Sequence, residues 1–336
     1  MRTRAAHRLW IVTVAVAAAL AAAGAGFARQ SAQTATTSGV VNITTNLAYE
    51  NGSAAGTGMV ITSSGQVLTN NHVIKGATSI RVTLPSNGRS YSATVLGYSV
   101  SGDIALLQLK NGFGLTTVKL GNSSTAKVGQ TVTAVGNAGG RGTPSSSVGR
   151  ITALHRTITV SDGRRAAARL ENLIQIDASL EPGDSGGPLL DSSDRVIGMD
   201  AAASVGFQFE TSNEGYAIPI NRALSVVKQI LARKSSASVH IGSTPLLGVS
   251  VSPAPFGYGD AGAYVVGVAS GSPADKAGIV SGSTIIRIDG HDVASYDQLT
   301  TYLLRHHAGD VVTVTWLDGS GVRHTAKIKT IAGPPQ

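Results

Sequence analysis

Residues 180–190, with the sequence LEPGDSGGPLL, place Ser185 between an aspartate and two glycines. A serine hydroxyl becomes a useful nucleophile only when a base removes its proton, and the oxyanion that then forms needs donors arranged in advance. Glycines beside the serine remove side-chain bulk, so backbone N–H groups can converge on one position. Ser185 is therefore a candidate nucleophile, and the N–H groups of Gly183 and Ser185 are candidate oxyanion-hole donors. The simpler alternative is a glycine-rich turn with an incidental serine.

Two other segments supply groups that would activate this serine. VLTNNHVI places His72 at the end of a strand-like run, and SGDIALLQL places Asp103 just before an apolar strand. Each residue alone has a simpler explanation, a loop histidine or an aspartate at a strand entry. Together, in the order His, Asp, Ser and each at a strand end, they predict nucleophilic catalysis. His72 would act as general base and then acid, and Asp103 would hold its tautomer.

The elements that must position these residues are mostly short strands. From Val40 to about Thr159, β-branched runs of strand length alternate with Gly, Asn and Ser, and this texture resumes at LIQIDASL, which predicts a barrel or sandwich. Helical periodicity first occurs in PINRALSVVKQILARK and predicts a helix that ends an all-β domain over 33–234. A Ser/Gly/Thr-rich linker, 235–244, follows. Residues 245–333 predict a small α+β domain, with a helix from about Ser295 to His307.

Composition restricts the class of partner. The formal charge is +8, but Arg2, Arg4, Arg8 and Arg29 stand in a segment without acidic residues, and the charge is +4 without them. No cluster of Lys and Arg is interleaved with aromatic residues, so a nucleic-acid partner is not predicted. The chain has no cysteine and therefore no disulfide. No group of His, Cys and Asp has metal-site spacing, and neither a metal nor another cofactor is predicted.

Residues 1–32 are predicted to be a signal peptide. They combine a basic start, MRTRAAHRLW, with the apolar run IVTVAVAAALAAAGAG and with small residues near Ala23, Ala25 and Ala28. The alternative is an uncleaved segment that anchors the protein to a membrane. A secreted or cell-envelope protein of a bacterium is predicted in either case.

The motifs resemble a known family. TNNHVI, DIALLQL and GDSGGPLL resemble the chymotrypsin-like serine proteases, and GTGMVI, VLTNNHVI and GYAIPI are most similar to the HtrA (Deg) branch. This resemblance implies a mainly β fold with two β-barrels, an active site in the cleft between them, and a C-terminal PDZ domain. It assigns the catalytic triad to His72, Asp103 and Ser185 and the oxyanion hole to Gly183 and Ser185. It implies a serine endopeptidase that cleaves unfolded or damaged proteins without cofactor or metal.

The segment LLGVSV is similar to the carboxylate-binding loop of PDZ domains. The resemblance implies that the N–H groups of Leu247, Gly248 and Val249 hold a peptide C-terminus while the peptide adds a strand. The alternative is a spacer domain with an unused groove. Relatives in this family often form trimers through an N-terminal segment, but few residues precede the first strand here, so the oligomeric state stays open.

The family pattern also places the substrate pocket. Ser179 would lie near its base and Ala201, Ala202 and Ala203 along its wall, which predicts a preference for Val, Ala or Leu at P1. Glu214, just before GYAIP, is an alternative pocket residue that would favour a basic P1 side chain. If it lies in a surface loop, it has no such effect.

Asp184 departs from the family pattern, which usually has Asn before the nucleophile. In digestive enzymes an aspartate here pairs with an ammonium terminus freed by cleavage, but this chain has no IVGG-type terminus. We therefore expect Asp184 to find another partner or to stay solvated, and activity not to need a new N-terminus. A chaperone or peptide-binding protein with a latent protease site is the alternative function.

Overall fold

The computed structural model describes residues 37–48, 52–160, 168–201, 214–252 and 262–336. The predicted signal peptide lies outside these ranges. The described segments form mostly short antiparallel strands, as the alternation of β-branched and turn residues predicts. No helix in the described segments is long and apolar enough to cross a bilayer.

Six strands close the first barrel, in the ring order β1–β2–β3–β6–β5–β4, with every neighbouring pair antiparallel. A short helix, α1 (Asn71–Ile74), follows the third strand. The strands are β1 (Val40–Leu47), β2 (Gly52–Val60), β3 (Gln66–Thr69), β4 (Ser79–Thr83), β5 (Ser90–Ser99) and β6 (Ile104–Leu109).

Six more strands close a second barrel, in the ring order β8–β9–β10–β13–β12–β11. A two-residue strand, β7 (Lys119–Leu120), pairs in parallel with one of its members, β12. The strands of the barrel are β8 (Thr131–Gly136), β9 (Ser145–Val160), β10 (Ala168–Ile176), β11 (Pro188–Leu190), β12 (Arg195–Asp200) and β13 (Gly215–Pro219).

The run IALLQL in β6 shows why these strands are apolar on both faces. Leu107 and Leu109 point into the first barrel, whereas Ile104 and Leu106 belong to the apolar cluster shared by the two barrels. Side chains alternate across a strand, so a strand that packs on both faces carries apolar residues at consecutive positions, and only the half-buried Gln108 is polar in this run. The second barrel contributes Val135, Met199 and Ile218 to the same shared cluster. The two barrels are therefore packed together through one apolar cluster.

The helix predicted at the end of the barrel region is α2 (Ile220–Leu231). Its buried residues, among them Ile220, Ala223 and Ile230, pack into the cluster shared by the barrels. The segment predicted to be a linker contains β14 (His240–Ile241), which pairs with β5 of the first barrel. The connection is therefore part of a sheet and is not a free linker.

The C-terminal unit is a small α+β domain with its own apolar core. A five-strand path, β16–β17–β18–β20–β21, carries β19 beside β18, and β15 pairs with β22. The elements are β15 (Thr244–Leu246), β16 (Val249–Ser252), β17 (Ala263–Val268), α3 (Pro273–Lys276), β18 (Thr284–Ile288), β19 (His291–Asp292), α4 (Tyr296–Leu303), β20 (Val311–Leu317), β21 (Arg323–Lys329) and β22 (Ile331–Gly333). Two closed barrels followed by an α+β domain confirm the predicted fold class.

Both helices of this domain begin at a serine cap, and the helix start predicted near Ser295 is one of the two. Ser272 accepts a hydrogen bond from the N–H of Asp275, and Ser295 accepts one from the N–H of Gln298. Helix α4 ends at Leu303, four residues before the predicted end.

The C-terminal domain contacts the first barrel at the helix that carries His72. The side chain of Asn71 donates to the carbonyl of Gln336 at 2.8 Å, and the N–H of Gly76 donates to the carbonyl of Pro335 at 2.7 Å. In the connection, buried His240 has one ring nitrogen 3.1 Å from the carbonyl of Leu304. These contacts place the C-terminal domain beside the first barrel.

Candidate active site

His72 and Asp103 form a hydrogen-bonded pair at one end of the first barrel. Strands β3 and β6 pair with Thr69 opposite Ala105, so the residues just outside that register are adjacent. Asp103 Oδ2 lies 2.8 Å from His72 Nδ1, and Asp103 Oδ1 accepts the backbone N–H of His72 at 2.9 Å. An ionised carboxylate at Nδ1 favours the tautomer with hydrogen on that nitrogen, so the other ring nitrogen can accept a proton.

The backbone at Asp103 is itself constrained. Its φ is 52°, in the left-handed region that short polar residues such as Asp tolerate better than branched ones. Asn70, which precedes α1, donates its side-chain N–H to the carbonyl of Asp103 at 2.9 Å. Both residues are buried. The carboxylate that orients the histidine is thus held at both its side chain and its backbone.

The turn that carries Ser185 depends on glycine. Gly183 has a φ of 105°, and a Cβ there would lie 2.3 Å from the carbonyl oxygen of Asn137. Gly186 has a φ of 86°, and a Cβ there would lie 2.2 Å from the carbonyl oxygen of Thr57. Both the backbone conformation and the close approach exclude a larger residue. The turn around Ser185 therefore requires glycine at both positions.

The N–H of Gly183 makes no hydrogen bond within the described part of the chain. By contrast, the N–H groups of Asp184, Gly186 and Gly187 all donate to backbone carbonyls nearby. The Gly183 N–H is thus available for an oxygen atom of a bound molecule, as an oxyanion hole requires.

Thr57 on β2 is a residue of the site that sequence reasoning missed. Its hydroxyl donates to the carbonyl of Gly183 at 2.6 Å and accepts the N–H of Asn137 at 2.9 Å. Its N–H donates to the carbonyl of Ser185 at 2.8 Å, and its carbonyl accepts the hydroxyl of Thr69 at 2.7 Å. Thr69 lies three residues before His72. One fully buried threonine therefore ties the nucleophile turn of the second barrel to the histidine side of the first.

The glycine-rich segment GNAGGRG at 136–142 borders this turn. The N–H of Gly139 donates to the carbonyl of Pro182 at 2.7 Å. Asn137 provides the carbonyl that faces Gly183, and its side chain accepts the N–H of Gly142. The segment therefore supports the turn that contains Gly183.

Asp184 is buried, so of the two expected alternatives it has another partner and does not stay solvated. Its Oδ2 accepts the N–H of Glu181 at 2.9 Å, and the N–H of Asp184 donates to the carbonyl of Glu181 at 3.0 Å. Its Oδ1 is buried without a hydrogen-bond partner in the described part of the chain. Burial raises the pKa of Asp184, and the hydrogen bond from Glu181 opposes this effect. Its partner is thus a backbone group of its own turn.

The predicted pocket residues lie in different environments. Ser179 is exposed and Ala201 is buried, whereas Ala202 and Ala203 lie outside the described residues. Glu214 Oε2 accepts the hydroxyl of Tyr216 at 2.7 Å. Burial and then this hydrogen bond raise the pKa of Tyr216, which keeps its hydroxyl a donor. The Glu214 carboxylate is therefore engaged by a neighbouring side chain.

A cavity of about 490 Å³ opens beside the histidine and aspartate. Its lining includes His72 and Asp103 on one side and Asp297, Thr300 and Thr301 of α4 on the other. A molecule bound next to His72 and Asp103 would therefore touch the C-terminal domain as well.

Two family models match the chain. A trypsin-like peptidase domain matches residues 56–199, the range that holds all three residues of the predicted triad, and a PDZ domain matches residues 245–330. These matches agree with the two-barrel unit and with the α+β unit.

Individual curated relatives are similar to this chain over most of its length. The serine protease Do-like HtrA of Lactobacillus helveticus is 34% identical over 278 residues, which cover 77% of this chain and 64% of that protein. The probable periplasmic serine protease do/HhoA-like of Haemophilus influenzae is 34% identical over 279 residues, which cover 82% of this chain and 57% of that protein. The chain spans less than two thirds of the length of these curated relatives.

Among solved structures, the HtrA-type protease AlgW with tripeptide is similar to this chain. The sequence identity is 28% and the TM-score is 0.51, and the alignment covers 89% of this chain and 96% of that one. The likeness includes both the barrel unit and the C-terminal unit.

Proposed function

This chain belongs to the HtrA-type serine proteases, which combine a trypsin-like peptidase domain with a PDZ domain, and from this premise we propose that it is an exported serine endopeptidase. The observation that carries the proposal is the Asp103 carboxylate, which binds both the ring Nδ1 and the backbone N–H of His72. The nucleophile turn with its open Gly183 N–H supports it. The substrates are unfolded or damaged proteins.

The reaction proceeds in two halves. Ser185 Oγ attacks the peptide carbonyl while His72 Nε2 takes the hydroxyl proton, and the Gly183 and Ser185 N–H groups stabilise the oxyanion. The imidazolium, stabilised by Asp103, gives its proton to the leaving amine, and an acyl-enzyme ester remains. Water then attacks the ester with His72 again as base, which releases the new carboxylate and restores Ser185.

A fluorophosphonate probe tests the function directly, because it reacts with a serine only when that serine is activated. We expect stoichiometric labelling of Ser185, located by mass spectrometry, and no labelling of heat-denatured protein. Unlabelled native protein would favour a latent site and a peptide-binding function.

The pocket is proposed to accept modest apolar P1 side chains. The bond between Tyr216 and Glu214 supports this, since a carboxylate engaged by a phenol attracts an incoming cation less strongly than a free one. A peptide library should be cleaved after Val, Ala or Leu faster than after Lys or Arg. The reverse order would make Glu214 the specificity residue.

We further propose that the PDZ domain binds peptide C-termini. In the described sheet β16 is an edge strand, and partly buried Val249 and Val251 lie in the same apolar cluster as Tyr296 and Leu303 of α4. A peptide adding beside β16 would lie between these apolar groups, with its carboxylate at the N–H groups of Leu247, Gly248 and Val249.

Gly248→Ala should weaken this binding by about tenfold or more, because Gly248 has a φ of 86° and an added Cβ would lie 2.3 Å from Ser272 Cβ. The control is Gly282→Ala, at a φ of 90° with nothing within 4 Å of the added Cβ, which costs only about 1 kcal/mol of stability. Binding is measured by the anisotropy of fluorescent peptides with free apolar C-termini. Equal affinities of the two variants, or equal binding of amidated peptides, would contradict the assignment.

The location is proposed to be outside the cytoplasm. The basic and apolar start of the chain supports export, as does the periplasmic relative of H. influenzae. Whether residues 1–32 are removed or retained as an anchor is decided by N-terminal sequencing of protein recovered from the cell envelope and the medium.

A further inference from the structure

Asp200, the last residue of β12, is a fully buried acid. Its relative exposure is 0%, and neither carboxyl oxygen has a hydrogen-bond partner of ordinary geometry in the described segments. A charged carboxylate loses its hydration on burial and needs donors or a cation in return. Asp191 in the same barrel shows the contrast, because it accepts hydrogen bonds from two backbone N–H groups and from the side chain of Arg195.

The backbone of Asp200 is bonded to the nucleophile turn on both sides. Its carbonyl accepts the N–H of Gly186 at 2.9 Å, and its N–H donates to the carbonyl of Gly187 at 2.8 Å. Gly186 directly follows Ser185. Any movement of β12 at Asp200 therefore displaces the turn that carries the nucleophile and the oxyanion-hole donors.

Among the residues that the structure describes, the charged groups that act on Asp200 are acidic. From the nucleophile turn Asp184 acts on it, and Glu181 acts in turn on Asp184. The neighbouring strands bring Val135 of β8 and Ala217 of β13, neither of which is charged. Burial raises the pKa of Asp200 well above its usual range, and the charge of Asp184 raises it further. The backbone of Val135 lowers this pKa, but by less than the other two effects raise it.

We propose that Asp200 is a positioning residue for Ser185 and that it holds the nucleophile turn only as a neutral carboxylic acid. The inference rests on the proposed function. When Asp200 ionises, a second negative charge is buried beneath the turn next to Asp184. The turn then moves away from the charged Asp200, and the N–H groups of Gly183 and Ser185 no longer point at the same oxygen position. Activity thus has an alkaline limit set by Asp200.

The test is the pH dependence of fluorophosphonate labelling and of peptide hydrolysis between pH 5 and pH 10. Asp200→Asn cannot ionise, so its alkaline limit should move up by at least one pH unit. Asp184→Asn removes the charge that raises the pKa of Asp200, so its limit should move down. Asp191→Asn alters a buried acid that already has donors and should leave the limit in place. A wild-type protein without an alkaline limit below pH 10, or coincident limits for wild type and Asp200→Asn, would overturn the inference.

Thermal unfolding gives a readout that does not need activity. Folded Asp200 keeps a proton that the unfolded chain releases near pH 4, so the folded state is favoured at low pH and loses this advantage as the pH rises to the folded pKa. The Tm of the wild type should therefore fall relative to that of Asp200→Asn between pH 5 and pH 9. Parallel Tm curves would overturn the inference. If Ser185 is never labelled, the proposed function fails while the Tm comparison still decides the protonation of Asp200.

Should Asp200→Asn not fold, Asp184→Asn carries the test alone. Its alkaline limit and its Tm decline should both move to lower pH than in the wild type, and unchanged positions would overturn the inference.

Discussion

Ser185→Ala should lower the rate of protein cleavage by about 10⁵- to 10⁶-fold. The methyl group cannot form an acyl-enzyme, so both halves of the reaction lose their nucleophile. What remains is the residual catalysis of the oxyanion hole and of substrate binding. Cleavage of casein by separately purified wild type and variant measures the loss.

The fold should tolerate this change. The backbone carbonyl of Ser185 keeps its bond from the N–H of Thr57, so the turn stays anchored to β2. Ser192→Ala, at an exposed serine in the turn between β11 and β12, is the matched control and should cleave casein at the wild-type rate. Peptide binding at the PDZ groove should be the same in all three proteins. If Ser185→Ala retains even about a hundredth of the activity, another residue is the nucleophile.

The sequence predicts the reactive residues because their signals are local. LEPGDSGGPLL contains the proposed nucleophile and the glycines that its turn requires, and the positive φ angles of Gly183 and Gly186 explain why both are glycine. His72 and Asp103 follow from their places at strand ends. The pairing of β3 with β6, which brings them together, joins segments more than thirty residues apart, and no local motif predicts it. Their assignment to one triad came from the family resemblance.

Thr57 and Asp200 could not be found in this way, because their roles depend on contacts through space. Thr57 looks like one of many strand threonines until its three partners on the nucleophile turn and loop are seen. Asp200 had a usable signal, an acid ending the apolar strand RVIGMD fifteen residues after Ser185. Its significance appears only with its complete burial and its bonds to Gly186 and Gly187.

The end of helix α4 and the predicted linker both differ from the sequence-based expectation, and each difference has a physical reason. Helix α4 ends at Leu303 because the next N–H groups, of Arg305 and His306, bond to carbonyls three residues back, and His306 then pairs with Asp289 at 2.9 Å. The predicted linker contains β14 because His240 and Ile241 complete an edge next to β5. Polar composition identified the segment as a connection, but it could not show that a barrel edge was available to pair with it.

Asp103→Asn should lower kcat/KM by about 10⁴-fold at neutral pH, and the geometry of the pair gives the reason. Asp103 Oδ1 accepts the backbone N–H of His72, so an amide must place its oxygen there and turn its NH₂ group toward Nδ1. Nδ1 then becomes an acceptor, the ring proton moves to Nε2, and His72 can no longer take the proton of Ser185.

The matched control is Asp194→Asn, because Asp194 has a φ of 56° against 52° for Asp103 and lies away from the histidine. Asparagine tolerates this left-handed backbone, so neither change should unfold the protein. Peptide hydrolysis measures the loss, and the ¹⁵N shifts of the His72 ring report which nitrogen carries hydrogen. The expected result is an exchange of tautomer in Asp103→Asn alone. A 10⁴-fold loss with an unchanged tautomer would mean that Asp103 acts mainly through its charge on the imidazolium, and a loss of less than about tenfold would remove it from the catalytic machinery.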